Sequence, residues 1–487
     1  MNGHFRTPAR HWIDGEWVAT GSEAESIDPA TGDVIGTYLD GGLEEAEAAI
    51  RAAEKALGDQ TWTGDPNRRA AALSHLADAY ATRLDEVIDT LCLENGKVRA
   101  EARFEAELIV RALRFVAGLA TQSFGRALDP SPGRSVVSLR QPIGVAGLII
   151  PWNSPAYLAI RALGPALAAG CTAVVKMPHK AAQTAALMAD ILASVPDLPQ
   201  GSVNIFIESG AAGAKLLVES AKVRAISYTG STHTGRAIAQ TASASLKRIN
   251  LELGGKTPHL IFDDVDLDRL LPILTKSSTV FAGQFCMTGS RILVQRNIAD
   301  QLRDRLARSL EAVRLGPAAS ASSDMGPLID KASVSRVDRI VKEAIAAGAK
   351  VILRGGPVAD GPLAKGAFYR PCLLEVPNSR LEIVQMEVFG PVQTLQLFDS
   401  EEEAIELADD TEFGLSACVW SSNADRLFRV SRKLDAGLVS INNWANHVVE
   451  FEEGGFKASG LGRLGGVGAI DDFTEIKQIA YNYATTA

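Results

Sequence analysis

Between about residue 145 and residue 441 the sequence repeats one pattern, a short apolar run of strand length followed by a stretch with helical spacing. The runs "GVAGLIIP", "TAVVK", "VNIFI", "VRAISY" and "RINLEL" succeed one another, with helices between them from about Tyr157 and again from about Ala182. Strands that are apolar on both faces must be covered on both faces, and parallel pairing needs connections of helix length. The pattern therefore predicts parallel strands covered by helices. A second series begins after "ELGGKTP": "HLIF", "RILVQ", a helix across Ile298–Val313, "KVILRG", "VQTLQLF", "LSACVW" and "GLVSINN". It reads as another α/β unit, and a cleft between two such units is the default place for a ligand.

Upstream, from Leu43 to about Thr121, the apolar spacing is helical through "LEEAEAAIRAAEKAL", "RRAAALSHLADAYATRLDEVIDTL" and "ELIVRALRFVAGLA", which predicts a helical opening. "SVVSLRQP" near 135–142 and "IKQIAYNYA" near 476–484 fit neither α/β series. Both read as strands that pair with each other or with another subunit.

Composition narrows the function classes. At 487 residues, with 46% hydrophobic and 22% charged residues, the chain is long enough for two or three domains with real cores. The net charge of −9 is spread along the chain, which argues against a nucleic-acid backbone as partner. No apolar run reaches the roughly 18 residues of a membrane helix, and the start "MNGHFRTPARHW" lacks a signal peptide's apolar stretch. The expectation is a cytoplasmic protein with no membrane partner. The five cysteines are far apart, odd in number and outside any CxxC or Cys/His cluster, so neither disulfides nor a metal site is expected.

Several strand ends carry residues with chemical capacity. The tail "SGLGRLGG" holds a GxGxxG at Gly460, Gly462 and Gly465, but no apolar strand leads into it and too little chain follows for a dinucleotide unit. "VRAISYTGSTHTGRAIAQ" has the right context: a strand runs into Gly230 and Ser231 and then into a helix containing Gly235, where backbone amides can hold a pyrophosphate. An ordinary turn with a serine cap fits the same residues. In "LIIPWNSPAYLAIRAL", Asn153 follows a strand and either turns the chain or aims an amide at an oxyanion. Lys176 ends "TAVVK", where a lone lysine is ordinarily solvated. Glu252 sits in the β-type run "RINLEL", either exposed on alternate register or buried as a poised carboxyl. Cys286, in "GQFCMTGSR", is a core thiol by default and a nucleophile only in a niche that favours its thiolate.

Seven blocks in order, "PWNSP", "GSTHTG", "LELGGKTP", "GQFCMTGSR", "MEVFGPV", "EFGLSACVW" and "GGFKASGLGR", closely resemble the aldehyde dehydrogenase superfamily. The resemblance extends from "IDGEWVATGSEAESIDPATGDVI" to "FTEIKQI", nearly the whole chain. It implies a soluble α/β enzyme with two doubly wound parallel-sheet domains, one Rossmann-like for the cofactor and one catalytic, plus a small β flap for a homodimer or homotetramer. The cofactor domain is expected at 1–123 and 145–250, the catalytic domain at 251–440, a return segment at 441–469 and the flap at 124–144 and 470–487. The resemblance further implies that Cys286 attacks an aldehyde, Asn153 helps hold the oxyanion, NAD or NADP accepts hydride, and Glu252 activates the water that hydrolyses the thioester. Ile150, Pro151, Trp152, Lys176, His179, Gly230, Ser231, Leu253, Gly254, Glu387 and Phe389 are the implied cofactor residues.

The departures bear on specificity. His179 and Lys180 stand where many NAD-preferring members have a glutamate three residues after the lysine, which removes one source of repulsion against a 2′-phosphate and offers Lys180 to attract it. Ser154 replaces a frequent phenylalanine and Arg161 a tryptophan, while Glu452 and Glu453 replace proline and an aromatic. Arg161 either binds a substrate carboxylate or pairs internally with Glu452 or Glu453. The expected substrate residues are Ser154, Tyr157, Arg161, Phe285, Met287, Trp444 and Glu453, and Ser154 and Arg161 point to aromatic or polar-substituted aldehydes. Leu464 replaces a glutamate of a second proton relay, and Phe281 an asparagine. Two alternatives are a CoA-acylating enzyme, which would not need Glu252, and a silent scaffold, which should have lost Asn153 or Cys286.

Overall fold

The computed structural model describes residues 5, 7–122, 125–446 and 448–483. The first expected series forms a sheet whose centre runs in the order Val203–Glu208, Thr172–Pro178, Val145–Ile149, Val223–Thr229, Arg248–Glu252, all parallel. Four of these strands are buried almost throughout, which is why they read as continuous apolar runs. Strand order reverses direction at Val145–Ile149, whose partners on either side are Thr172–Pro178 and Val223–Thr229. At such a switch point the connecting chains diverge and leave a crevice beyond the carboxyl ends of the strands.

The second series forms a sheet ordered Lys350–Leu353, Cys372–Glu375, Val392–Phe398, Arg291–Gln295, Pro258–Ile261, Ser416–Trp420, Leu438–Ile441. All of its pairs are parallel except the edge pair Lys350–Leu353 with Cys372–Glu375. The expected α/β fold with two parallel-sheet units is therefore what the chain adopts. A separate three-stranded antiparallel sheet joins Arg126–Ser131, Arg134–Pro142 and Thr474–Asn482. Of the two pairings foreseen for the outlying segments, they make the one with each other, in register from Thr474 against Pro142 to Asn482 against Arg134. Phe124 and Ala484, at the limits expected for these segments, lie outside the described residues.

The stretch expected to be helical, from Leu43 to about Thr121, does form helices, up to Ala120. Before any helix the chain forms strands at His11–Ile13, Glu16–Val18, Ser22–Ile27 and Val34–Asp40, the first of which joins the edge of the first sheet at Ile205. The long second helical run divides at Arg83 into Pro66–Thr82 and Leu84–Asn95, because Arg83 leaves helical geometry at φ −113°, ψ 21°. Gly460–Leu461, inside the GxGxxG of the tail, is an edge strand antiparallel to Arg248–Glu252, and a 3₁₀ turn rather than an α-helix follows it.

Candidate active site

Two chain segments border the crevice at the switch point. Ile150 to Asn153 leave the central strand, and Gly230 and Ser231 leave Val223–Thr229 to open the helix Thr232–Ala242. A Cβ on Gly230 would lie 2.2 Å from the Tyr228 hydroxyl, so any other residue here would have to displace the Tyr228 side chain. Ser231 caps the helix, accepting from the Thr234 N–H at 3.3 Å. Gly235 lets the helix press on Leu253, since a Cβ there would meet Leu253 at 2.4 Å. Lys176, at the end of the neighbouring strand, is 9% exposed rather than solvated, and burial pulls its ammonium down against the opposing pull of Glu208 and Asp40. His179 is half-buried with its ring 6.3 Å from that of Tyr38, and burial and then Lys180 lower it. Lys180 itself is ion-paired with Asp330 and stands 5.8 Å over Trp152, so its charge is partly neutralised where a free attraction for a 2′-phosphate was foreseen.

Farther along the crevice the predicted residues continue to converge. Trp152 meets Phe389 edge-on at 5.5 Å, with Phe389 held at a left-handed φ of 51°. Glu387 accepts the Gly255 N–H at 3.2 Å, and a Cβ on Gly254 would lie 2.8 Å from its other oxygen. Burial pushes Glu387 up to about 7. A helix start free of Cβ obstruction, a buried ammonium at the neighbouring strand end and a carboxylate beyond fit a dinucleotide's phosphate and hydroxyl groups.

Cys286 follows the helix Leu267–Thr279 through three successive left-handed residues, Phe281 (φ 50°), Ala282 (φ 54°) and Gly283 (φ 73°). Such backbone is costly for residues with a Cβ and persists only where surroundings fix it. Here Gln284 fixes it: its side-chain amide donates to the Phe281 carbonyl at 3.0 Å and accepts from the Ile329 N–H at 2.9 Å. The Thr288 hydroxyl donates to the Phe285 carbonyl at 2.6 Å. A Cβ on Gly255 would stand 2.3 Å from the Cys286 carbonyl oxygen, so the "GG" pair is what lets this loop close on the strand end. Among the five cysteines Cys286 alone is half-buried; the other four are buried core thiols. Burial and then Glu453 push its thiol up, while Arg161 opposes them.

Asn153 is buried and donates from Nδ2 to the Gln284 carbonyl at 3.0 Å, two residues from the nucleophile candidate. Glu252 is 4% exposed, which excludes the surface reading, and its Oε1 has no hydrogen-bond partner. Burial drives it up to about 8 against the opposing pull of Arg161. A cavity of about 350 Å³ brings Asn153 and Cys286 together with all seven expected substrate residues, Ser154, Tyr157, Arg161, Phe285, Met287, Trp444 and Glu453. Phe281, Phe285 and Trp444 form an edge-to-face chain at 5.7 and 5.8 Å, and the Trp444 indole donates to the Met287 carbonyl at 2.8 Å. Arg161 pairs with Glu453 at 3.0 Å, while Glu452 turns outward and accepts the Gly468 N–H.

The sequence reading missed a second set. Lys97 and Glu105 form a buried ion pair; Lys97 also donates to the Ser154 hydroxyl at 3.1 Å, and Glu105 accepts the N–H groups of Ala156 and Tyr157 at 3.1 Å each. Glu105 thus satisfies the open start of the helix Pro155–Ala169, which Ser154 leaves uncapped. Phe104, Leu108 and Lys276 line the cavity as well. Lys256 is buried without a hydrogen-bond partner, and burial lowers its ammonium to about 7; a lysine in the apolar "LELGGKTP" was the available signal.

A thiol and an amide donor open on one cavity, with a buried carboxyl and the crevice at the switch point beside them. A family model described as the aldehyde dehydrogenase family matches residues 17–479. Betaine aldehyde dehydrogenase of Bacillus subtilis is 36% identical over 97% of both chains, and a succinate-semialdehyde dehydrogenase [NADP(+)] of Saccharomyces cerevisiae is 34% identical over 96% of this chain and 94% of its own. The crystal structure of Staphylococcus aureus betaine aldehyde dehydrogenase in complex with NAD+ has a TM-score of 0.95 at 32% identity, covering 99% of this chain and 96% of that one. The chain belongs to the aldehyde dehydrogenase family and is an oxidoreductase of the aldehyde group.

Proposed function

We propose that the protein oxidises an aldehyde to its carboxylic acid with NAD+ or NADP+ through a thioester on Cys286. The observation that carries this reading is the single cavity onto which Cys286 and Asn153 both open, with Glu252 off its wall, buried, unpartnered on Oε1 and within electrostatic reach of Cys286. Bound in the crevice, oxidised nicotinamide supplies the hydride acceptor. Ile150, Pro151, Trp152, Lys176, His179, Gly230 and Ser231, in a cofactor domain at 1–123 and 145–250, hold the cofactor together with Leu253, Gly254, Glu387 and Phe389. The Cys286 thiolate bonds to the aldehyde carbon, and the Asn153 amide donates to the resulting oxyanion. Glu252 then takes a proton from the water that hydrolyses the thioester. A buried carboxyl placed for that task favours hydrolysis over transfer to CoA.

Aromatic or polar-substituted aldehydes suit a cavity whose walls combine Phe285, Trp444 and Tyr157 with Ser154 and the Arg161–Glu453 pair. The internal pairing of Arg161 favours neutral substrates over those with a carboxylate beside the guanidinium. The outlying three-stranded sheet exposes Leu128, Ile476 and Tyr481 and is the surface for a homodimer or homotetramer. Among the described residues no helix is long and apolar enough to cross a membrane, in keeping with the proposed cytoplasmic setting. An aldehyde panel read by absorbance of the reduced cofactor, with both NAD+ and NADP+, tests the substrate reading, and best efficiency on long aliphatic aldehydes would overturn it. Cys286→Ala should lower oxidation by more than about 10³-fold while leaving cofactor binding intact; surviving activity refutes the mechanism.

A further inference from the structure

A buried ion pair links the cavity wall to the strand next to the one that carries Glu252. Arg161, on the helix Pro155–Ala169, donates from Nη1 to Glu453 Oε1 at 3.0 Å and from Nη2 to the Thr229 hydroxyl at 3.4 Å. The two charged side chains are 6% and 4% exposed, so each is held by the other and not by bulk solvent. Thr229 is the register partner of Glu252 in the parallel sheet. One side of the guanidinium therefore grips the cavity wall, and the other grips the strand beside the carboxyl. Glu453 is fixed in turn by reciprocal backbone hydrogen bonds with Leu464, at 2.7 and 2.9 Å.

We infer that Arg161 is a positioning residue for Glu252: clamped between Glu453 and Thr229, it sets a positive charge beside the carboxyl that works against its burial and helps it act as the base. The inference rests on the reading of Glu252 as the general base. In the hydrolysis step Glu252 removes a proton from water as the water oxygen bonds to the thioester carbon. The carbon–sulfur bond then breaks with its electron pair on sulfur, leaving the carboxylic acid, the Cys286 thiolate and a protonated Glu252. Arg161 forms no bond to the reacting atoms; it acts on the charge of the base. With Oε1 of Glu252 unpartnered, that charge is governed by its surroundings. Burial weighs most against ionisation; Arg161 is the largest favourable charge, Glu453 opposes it, and Arg463 and Asp472 act more weakly with opposite signs. Cys286 sits in the same field, with Glu453, Glu387 and Glu252 against its thiolate and Arg161 for it.

The test is the pH dependence of acid release from the acyl-enzyme, measured by rapid quench on the full-length protein with aldehyde and oxidised nicotinamide. Arg161→Met should move the acid limb up by about one unit or more, as loss of a neighbouring opposite charge does. Arg161→Lys should keep the limb near its wild-type position, and Glu453→Gln, which removes a like charge while preserving shape, should move it down. A merely structural pair would lower the rate without moving the limb. If Arg161→Met does not fold, Glu453→Gln decides alone. An unmoved limb in the folded variants overturns the inference. Glu252→Gln separates the two claims: if it leaves hydrolysis intact the general-base reading fails, whereas blocked hydrolysis with an unmoved Arg161 limb removes only the role of Arg161.

Discussion

Glu105 and Glu252 are 2% and 4% exposed, and their surroundings differ in kind. Glu105 faces the cation of Lys97 and two backbone N–H groups at the start of a helix, so its charge is matched on both oxygens. Glu252 ends a strand with Oε1 unmatched, and the opposite charge that acts on it most strongly, Arg161, is itself shared with Glu453. A buried carboxylate with every lone pair answered is a fixed part of the scaffold. One left unanswered pays a continuing desolvation cost, and in an enzyme that cost is tolerated where the carboxyl must gain and lose a proton. The helix Pro155–Ala169 connects the two cases, since Glu105 holds its first turn and Arg161 farther along reaches toward Glu252.

Substitutions can separate these roles. Asn153→Ala removes one donor from the oxyanion and should lower kcat by about 10²–10³-fold with folding unchanged, checked by steady-state kinetics beside circular dichroism. Lys97→Met leaves Glu105 without its cation and should cost about 3–5 kcal/mol of stability, read by denaturant unfolding. A loss below about 1 kcal/mol there would break the distinction drawn between the two glutamates. The exposed pair Arg296–Asp399, at 2.7 Å, supplies the control: Arg296→Ala should leave the unfolding midpoint nearly unchanged.

How much of this was legible follows the same physics. The central strands were readable because burial on both faces leaves an unbroken apolar run, as in Thr172–Pro178. Ser22–Ile27 was not, because it is a mostly exposed strand of polar residues whose only buried position is Ser26. Cys286, Asn153 and Glu252 each occur in a short block whose order along the chain pointed to one chemistry, and the fold brings those blocks to one place. The partners of Arg161 stayed open in the sequence, since Glu452 and Glu453 are adjacent and only the bridge between Glu453 and Leu464 decides which turns inward. The Lys97–Glu105 pair gave no signal at all: eight residues apart on a charged stretch, it looks like any solvated helix face until the chain packs over it.

With its carboxyl at about 8, Glu252 is mostly protonated at neutral pH, and a base must lose that proton before it can act. Wild-type thioester hydrolysis should therefore rise with pH through about 8. The most direct test of this account is single-turnover oxidation by Glu252→Gln, followed by reduced-cofactor absorbance and by intact-protein mass. The account predicts one equivalent of reduced cofactor per site, then a stall with an acyl group retained on Cys286 at every pH. Continued turnover at the wild-type rate, with no acyl adduct, would contradict it.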